Sequence, residues 1–246
     1  MASTGATAYQ SIEELCRHNT WVLSCVSDDG AMLQINRAIA NCQNKPAIHI
    51  SFSSCSPAAV REAAKLAGEQ GVRFLNCPIL GRPDVVLAGK AGYLVAGEAS
   101  AATSVQPMLA ILSGSFSNLG PVPEQSAIIK LAINYFIALT IGGLTEIISA
   151  LEHNHSSTGD FLDVINKSPA GSPLISLFGG LITSRAFSPP LFDLQLAQKD
   201  IGYFGDLTGD KPDYFLSSAI ADHMAATIKS HDQPIDWSGL ASHLFN

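Results

Sequence analysis

The sequence predicts an α/β domain followed by an all-helical one, and three observations carry that expectation. Short apolar runs alternate with capped helices up to about residue 122. From Glu124 onward only helical periodicity remains. At the junction, residues 127–151 are almost continuously apolar, far too long for a strand. Strand–helix alternation implies a parallel sheet with helices on its faces. The expected domains are residues 1–122 and 123–246.

The elements follow in order. Ser11 opens a helix, with Glu14 three residues on completing a capping box. Trp21 to Val26 reads as a strand, and Asp28-Asp29 starts the next helix. Ala47 to Phe52 is a second strand. Ser56-Pro57 pairs a cap with proline at the first helical position, and Gly71 closes that helix. Val72 to Cys77 and Gly92 to Ala96 are the third and fourth strands. After the long apolar helix come helical segments near 160–166, 173–182, 193–204 and 212–229. Ser168-Pro169, Ser188-Pro189-Pro190 and Gly209-Asp210-Lys211-Pro212 punctuate the joins.

Composition excludes several functions. A net charge of -7 and a pI near 5.4 leave no basic stripe to neutralise phosphates, so a nucleic-acid partner is not expected. Scattered Lys and Arg argue against an anionic membrane surface. The 127–151 run is long enough to cross a bilayer. Lys130, Asn134 and Glu146 interrupt it, however, and a central charge costs roughly 3 kcal/mol or more there. It reads as the spine of a helical domain or of a homodimer. Five cysteines without a C-x-x-C pair, and Met-Ala-Ser-Thr-Gly at the start in place of a signal peptide, point to the cytoplasm. His153-Asn154-His155 supplies two metal ligands without a third, so no metal is expected. His49, inside a buried-type strand, reads as a satisfied core residue.

Four segments in fixed order carry more specific information. Ser53-Ser54-Cys55-Ser56-Pro57 forms a turn after the second strand. Phe74-Leu75-Asn76-Cys77-Pro78-Ile79-Leu80-Gly81-Arg82-Pro83 follows, with Ala88-Gly89-Lys90 and Val95-Ala96-Gly97 behind it. Lys130-Leu131-Ala132-Ile133-Asn134 lies on the long helix, and Phe192-x-Leu194-x-Leu196-Ala197-Gln198-Lys199-Asp200 comes late. Together they resemble the β-hydroxyacid dehydrogenase family, which includes 3-hydroxyisobutyrate dehydrogenase, the imine reductases and 6-phosphogluconate dehydrogenase. The resemblance runs from Gly5 to about Lys229. It implies a partial Rossmann-type sheet, a helical domain like the C-terminal one of 6-phosphogluconate dehydrogenase, and a site between them. It also implies a homodimer interlocked through the helical domains.

The residues make chemical sense under that resemblance. Lys130 and Asn134 are four apart and share a helix face. A lysine in an apolar helix can have a lowered pKa and act as general acid or base; a lone one more often snorkels to solvent. In the family the matching lysine moves the proton of the substrate hydroxyl and the asparagine holds the substrate. Lys199 matches a lysine near the nicotinamide, or is a helix-surface partner of Asp200. Ser53 and Ser54 are donors to a ligand, or ordinary turn and cap residues. Of the substrate-loop positions Leu80, Gly81 and Arg82, the first falls where the family has a carboxylate-binding serine and the last where it has a glycine. Arg82 offers an acidic group an alternative ligand. Glu124-Gln125-Ser126 replaces the glycines usually found before the lysine.

Dinucleotide binding uses a strand, a glycine-rich turn and a helix N-terminus that receives the pyrophosphate. No Gly-x-Gly-x-x-Gly occurs in these 246 residues, and in the family those parts precede the segment resembling Gly5-Ala6-Thr7-Ala8. The expectation is therefore an N-terminally shortened relative with the strand at Trp21 exposed as a sheet edge, and no cofactor. Three functions remain open. One is cofactor-independent acid–base chemistry on a small organic molecule, of isomerase, lyase or cyclase type. The second is an NAD(P)-dependent dehydrogenase or imine reductase-like enzyme. The third is a non-catalytic dimer.

Overall fold

The computed structural model describes residues 5–113, 115–209 and 215–245. They divide into two compact units, Met1–Lys130 and Leu131–Asn246. The first unit contains α1 (Ile12–His18), β1 (Trp21–Ser24), α2 (Asp29–Asn41), β2 (Ile48–Ser51), α3 (Pro57–Glu69) and β3 (Arg73–Asn76). It continues with β4 (Ile79–Leu80), α4 (Pro83–Leu87), β5 (Gly92–Gly97), α5 (Ala99–Leu112) and β6 (Ser115–Asn118).

The sheet runs β1-β2-β3-β5-β4, with β6 paired to β5. β1, β2 and β3 are parallel, in the register Trp21↔Ile48 and Ile48↔Arg73. The sheet is parallel-dominated, as expected, and within it β5 runs antiparallel to β3. A parallel pair needs a crossover that returns the chain to the strand's start. Residues 77–91 instead form β4 and the five-residue α4, turning the chain round at the carboxyl end of β3. Gly97 permits the close approach there. Its φ is +140°, and a Cβ would stand 2.5 Å from the Phe74 carbonyl oxygen.

Local capping explains the helix starts. Ser11 Oγ accepts from Glu14 N–H, Asp28 from Ala31 N–H, and Ser56 from Ala59 N–H, as their sequence positions predict. β1 stands at the sheet edge and ends at Ser24, two residues short of the run read from sequence. Val26 N–H is already bonded to Ser53 Oγ and so leaves the strand direction.

The boundary between the units falls within α6 (Glu124–His153). Beyond it lie α7 (Thr158–Lys167), α8 (Pro173–Thr183), α9 (Leu194–Thr208), α10 (Phe215–Ser230) and two 3-10 turns, Trp237–Gly239 and Ser242–Phe245. The expected start of the last helix at Pro212 lies outside the described residues. α6 is long and apolar enough to cross a membrane. Here Ala138, Ile141, Leu144 and Ile148 of α6 form one wall of a core with Phe178, Ile201, Met224 and Trp237. Burying each large apolar side chain contributes roughly 1.5–3 kcal/mol. The opposite stripe of α6 leaves Phe136 and Ile147 exposed.

Candidate active site

In the first unit, three loops meet at the carboxyl ends of β1, β2 and β3, the edge of a parallel sheet where ligands bind in open α/β folds. Two of these loops are fastened together. Ser53 Oγ accepts from Val26 N–H at 2.9 Å. Asp29 accepts from the Ser56 N–H at 2.8 Å and from its hydroxyl at 2.6 Å. Carboxylates therefore occupy both helix starts: Asp28 caps α2, and Asp29 faces the N-terminus of α3. Each favours the positive end of the helix dipole and takes the place an anion would use. Ser53 is buried in this fastening, whereas Ser54 beside it is half-buried.

The third loop follows β3. Asn76 is fully buried, and its Nδ2 donates to Ser126 Oγ at 2.9 Å. Asn76 Oδ1 is buried with no hydrogen-bond partner, a costly acceptor to leave over. Ser126, read from sequence as a replacement for glycine, thus ties the start of α6 to β3, and Glu124 pairs with Arg61 at 2.9 Å. Leu80 packs over Gly92 on β5, and Gly81 is exposed. Arg82 pairs with Asp84 at 3.0 Å, and this guanidinium holds the Asp84 carboxyl below its usual range.

Lys130, half-buried on α6, is the last residue of the first unit. Asn134, one turn further, is buried in the second unit, where its Nδ2 donates to Asp200 Oδ2 at 2.7 Å. The same carboxylate takes Lys199 Nζ at 3.0 Å, and Lys199 also lies 5.2 Å from the Tyr203 ring centre. Asn134 and Lys199 are 65 positions apart in sequence, yet Asp200 gathers both. A carboxylate accepts only, so the amide must present its nitrogen to Asp200, which orients Oδ1 away from it. Asp200 was not among the residues singled out as candidates, although it closes the late motif. Asn76 and Ser126 were missed as a pair because they are 50 positions apart.

Two other polar clusters have structural explanations. His49 is fully buried, with Nδ1 3.1 Å from Asn36 Oδ1 and Nε2 2.9 Å from Ser24 Oγ. Burial lowers its pKa to about 4, so the ring is neutral at pH 7, and in the tautomer that donates to Asn36 Oδ1 it accepts from Ser24. His153 and His155 sit at the end of α6, and among the described residues no group of three or more His, Cys, Asp or Glu could hold a metal.

Comparison with known proteins decides the family. Residues 1–120 match the family described as the NAD binding domain of 6-phosphogluconate dehydrogenase. Residues 125–243 match the NAD-binding domain of NADP-dependent 3-hydroxyisobutyrate dehydrogenase. The chain belongs to the β-hydroxyacid dehydrogenase family. An uncharacterized oxidoreductase of Bacillus subtilis, YfjR, is 26% identical over 197 residues, 78% of this chain and 68% of that protein. The mitochondrial 3-hydroxyisobutyrate dehydrogenase of Drosophila melanogaster is 23% identical over 169 residues, and the match spans 68% of this chain and only 52% of the fly enzyme. Among solved structures, 3-hydroxyisobutyrate dehydrogenase of Mycobacterium tuberculosis with L-serine has a TM-score of 0.86 at 21% identity. The match covers 100% of this chain and 86% of that one. Psf3 in complex with NADP+ and 2-OPP also has a TM-score of 0.86, at 18% identity, covering 99% of this chain and 86% of that one. These likenesses show the fold.

The matches correct the cofactor expectation. The missing glycine motif argued for no cofactor, yet NAD-binding domains match along residues 1–120 and 125–243. The physical reason lies in how a dinucleotide is bound. The glycine turn holds the pyrophosphate, while the rest of the molecule lies across the carboxyl ends of other strands. Lacking one contact region does not remove the others. The cofactor-independent isomerase, lyase or cyclase reading rested on that argument and falls with it.

Proposed function

We propose that this chain is an NAD(P)-dependent oxidoreductase that interconverts a small alcohol or amine with its carbonyl or imine. The observation that carries this reading is the match of two NAD-binding families over nearly the whole sequence. The residues at the strand ends fit the uncharged part of such a cofactor. Ser54 is half-buried there, and Asn76 has a spare acceptor. Asp28 and Asp29 already fill the helix starts, so a pyrophosphate does not fit at those two. When bound, the cofactor supplies or accepts the hydride.

The chain's own residues have separable roles in this proposal. Lys130 holds or takes the proton of the substrate oxygen or nitrogen at Nζ. Asn134, its nitrogen spent on Asp200, offers Oδ1 to the substrate. Lys199 supplies a positive charge anchored by Asp200. Leu80 stands where the resemblance expects a carboxylate-binding serine, and Arg82 is neutralised by Asp84. Both favour a substrate without a free carboxylate. A homodimer is proposed as the working form, supported by the exposed Phe136 and Ile147 on α6. A cytoplasmic location is proposed, supported by cysteines that are all free thiols.

The test is direct. Purified protein is titrated with NADPH and NADH, then assayed by nicotinamide absorbance against a panel of β-hydroxyacids, aldehydes and cyclic imines. Cofactor binding with turnover of an uncharged carbonyl or imine is the expected result. No binding of either dinucleotide and no turnover across the panel would overturn the reading.

A further inference from the structure

The helical turn that leads to Lys130 is fastened to the sheet by a polar contact whose two partners are fully buried. Asn76 ends β3, held in register opposite Ser51 of β2 and Ala96 of β5. Its Nδ2 donates to Ser126 Oγ at 2.9 Å. The Ser126 hydroxyl has one proton to give and shares it between Asn76 O at 3.1 Å and Pro123 O at 3.0 Å. Bonds in both directions thus tie the first turn of α6 to the last residue of β3. Ser126 lies four positions before Lys130, so the two share a helix face, with Cβ atoms roughly 5–6 Å apart. All of these residues belong to the first unit, which ends at Lys130.

Two features separate this contact from ordinary packing. Asn76 Oδ1 is left buried and unpartnered, a loss that an apolar residue at this position would avoid. Ser126 also stands where the family resemblance expects glycine, and glycine makes none of these side-chain bonds. A second tie at the same helix end, Arg61 Nε to Glu124 Oε1 at 2.9 Å, has a largely exposed arginine. Exposed ion pairs hold geometry weakly. The buried bonds to the sheet hold it firmly.

We propose that Asn76 and Ser126 are positioning residues that set where Lys130 stands against the carboxyl end of β3. Their role rests on Lys130 being the group that holds or takes the substrate's proton. An acid–base group works only within hydrogen-bond reach of that proton, and a displacement of about 1 Å can cost about 100-fold in rate. The lysine side chain is flexible, so its backbone must be fixed by its neighbours. Ser126 does this from one turn away, and Asn76 passes on the rigidity of the sheet. Neither residue touches substrate in this role.

Ser126→Ala removes the hydroxyl and keeps a good helix former. Steady-state kinetics of the full chain should show kcat about 10-fold lower, with KM and the dinucleotide Kd within about twofold of the parent. The same substitution in a Lys130→Met background should leave the residual rate unchanged, because the pair acts only through the lysine. Arg61→Gln, which loosens the same helix end without touching Ser126, should keep the parent kcat. A further readout needs no substrate. Acetylation by an N-hydroxysuccinimide ester, followed by peptide mass, should be about threefold faster at Lys130 in Ser126→Ala. The exposed Lys65 and Lys90 of the same unit should label at the parent rate. An undiminished kcat, an equal loss in the Lys130→Met background or in Arg61→Gln, or unchanged labelling of Lys130 would each overturn the proposal. A parent without turnover on the panel overturns the oxidoreductase reading instead, and the labelling rates then decide on the pair. Should Ser126→Ala fail to fold, Ser126→Cys, which keeps a side chain of similar size and weakens every bond, takes its place.

Discussion

His49 is held neutral at the centre of the parallel sheet, and its replacement by glutamine isolates what that neutrality contributes. The folded pKa is lowered to about 4 from the ordinary histidine value of 6.5, with burial as the cause. Because the folded value is depressed, the neutral ring contributes full stability above pH 6.5. That stability is lost as pH falls from 6.5 through 4. The shift corresponds to about 3 kcal/mol when complete, of which about 2 kcal/mol is already lost at pH 5. His49→Gln keeps a neutral donor and acceptor between Ser24 and Asn36 but cannot titrate. Imperfect hydrogen bonding should make it about 1–2 kcal/mol less stable than the parent at pH 7.5. Urea unfolding at pH 7.5 and pH 5, followed by circular dichroism, measures both proteins. The parent should lose its advantage on acidification: the stability difference should move by about 2 kcal/mol toward the variant, to zero or past it. His243, whose pKa burial and His223 also lower, titrates in both proteins and cancels in the difference. An unchanged difference at the two pH values, or a His49 titration midpoint near 6.5 by NMR, would refute the reasoning.

Other perturbations are equally concrete. Lys130→Met should fold normally and lower turnover about 100-fold or more, and Lys130→Arg should not restore it, because arginine stays protonated. Steady-state kinetics on any substrate found in the panel checks both. Asn134→Ala removes one partner of a buried carboxylate and should cost about 2 kcal/mol in denaturant unfolding. Gly97→Ala should destabilise by about 3 kcal/mol or prevent folding, since its Cβ meets the Phe74 carbonyl and Leu75; thermal unfolding reports this. Phe136→Glu on the exposed stripe of α6 should shift sedimentation from dimer to monomer with the helical content retained.

Much of this protein was legible in its sequence because the signals are local. Ser11, Asp28 and Ser56 cap their helices through bonds to residues three positions ahead, so the order of helices follows from short patterns. The change from alternating strands to a 30-residue helix separates two periodicities that single windows can distinguish. Asn134 and Lys199 lie in motifs read from sequence, and the structure brings both onto Asp200. Tertiary structure decided what depends on distant partners. The reversal of β5 follows from how residues 77–91 spend their length, and Gly97 matters because of its positive φ and the Phe74 carbonyl lying against it. Asp200 emerged as the residue joining Asn134 to Lys199, and Asn76 as the partner of Ser126, through bonds spanning 66 and 50 positions. Cofactor binding was misread for the same reason: a glycine turn is a contiguous motif, whereas the remainder of a dinucleotide site is assembled from several strand ends. Hydrogen bonds and close packing act over a few ångströms of space, whatever their separation along the chain.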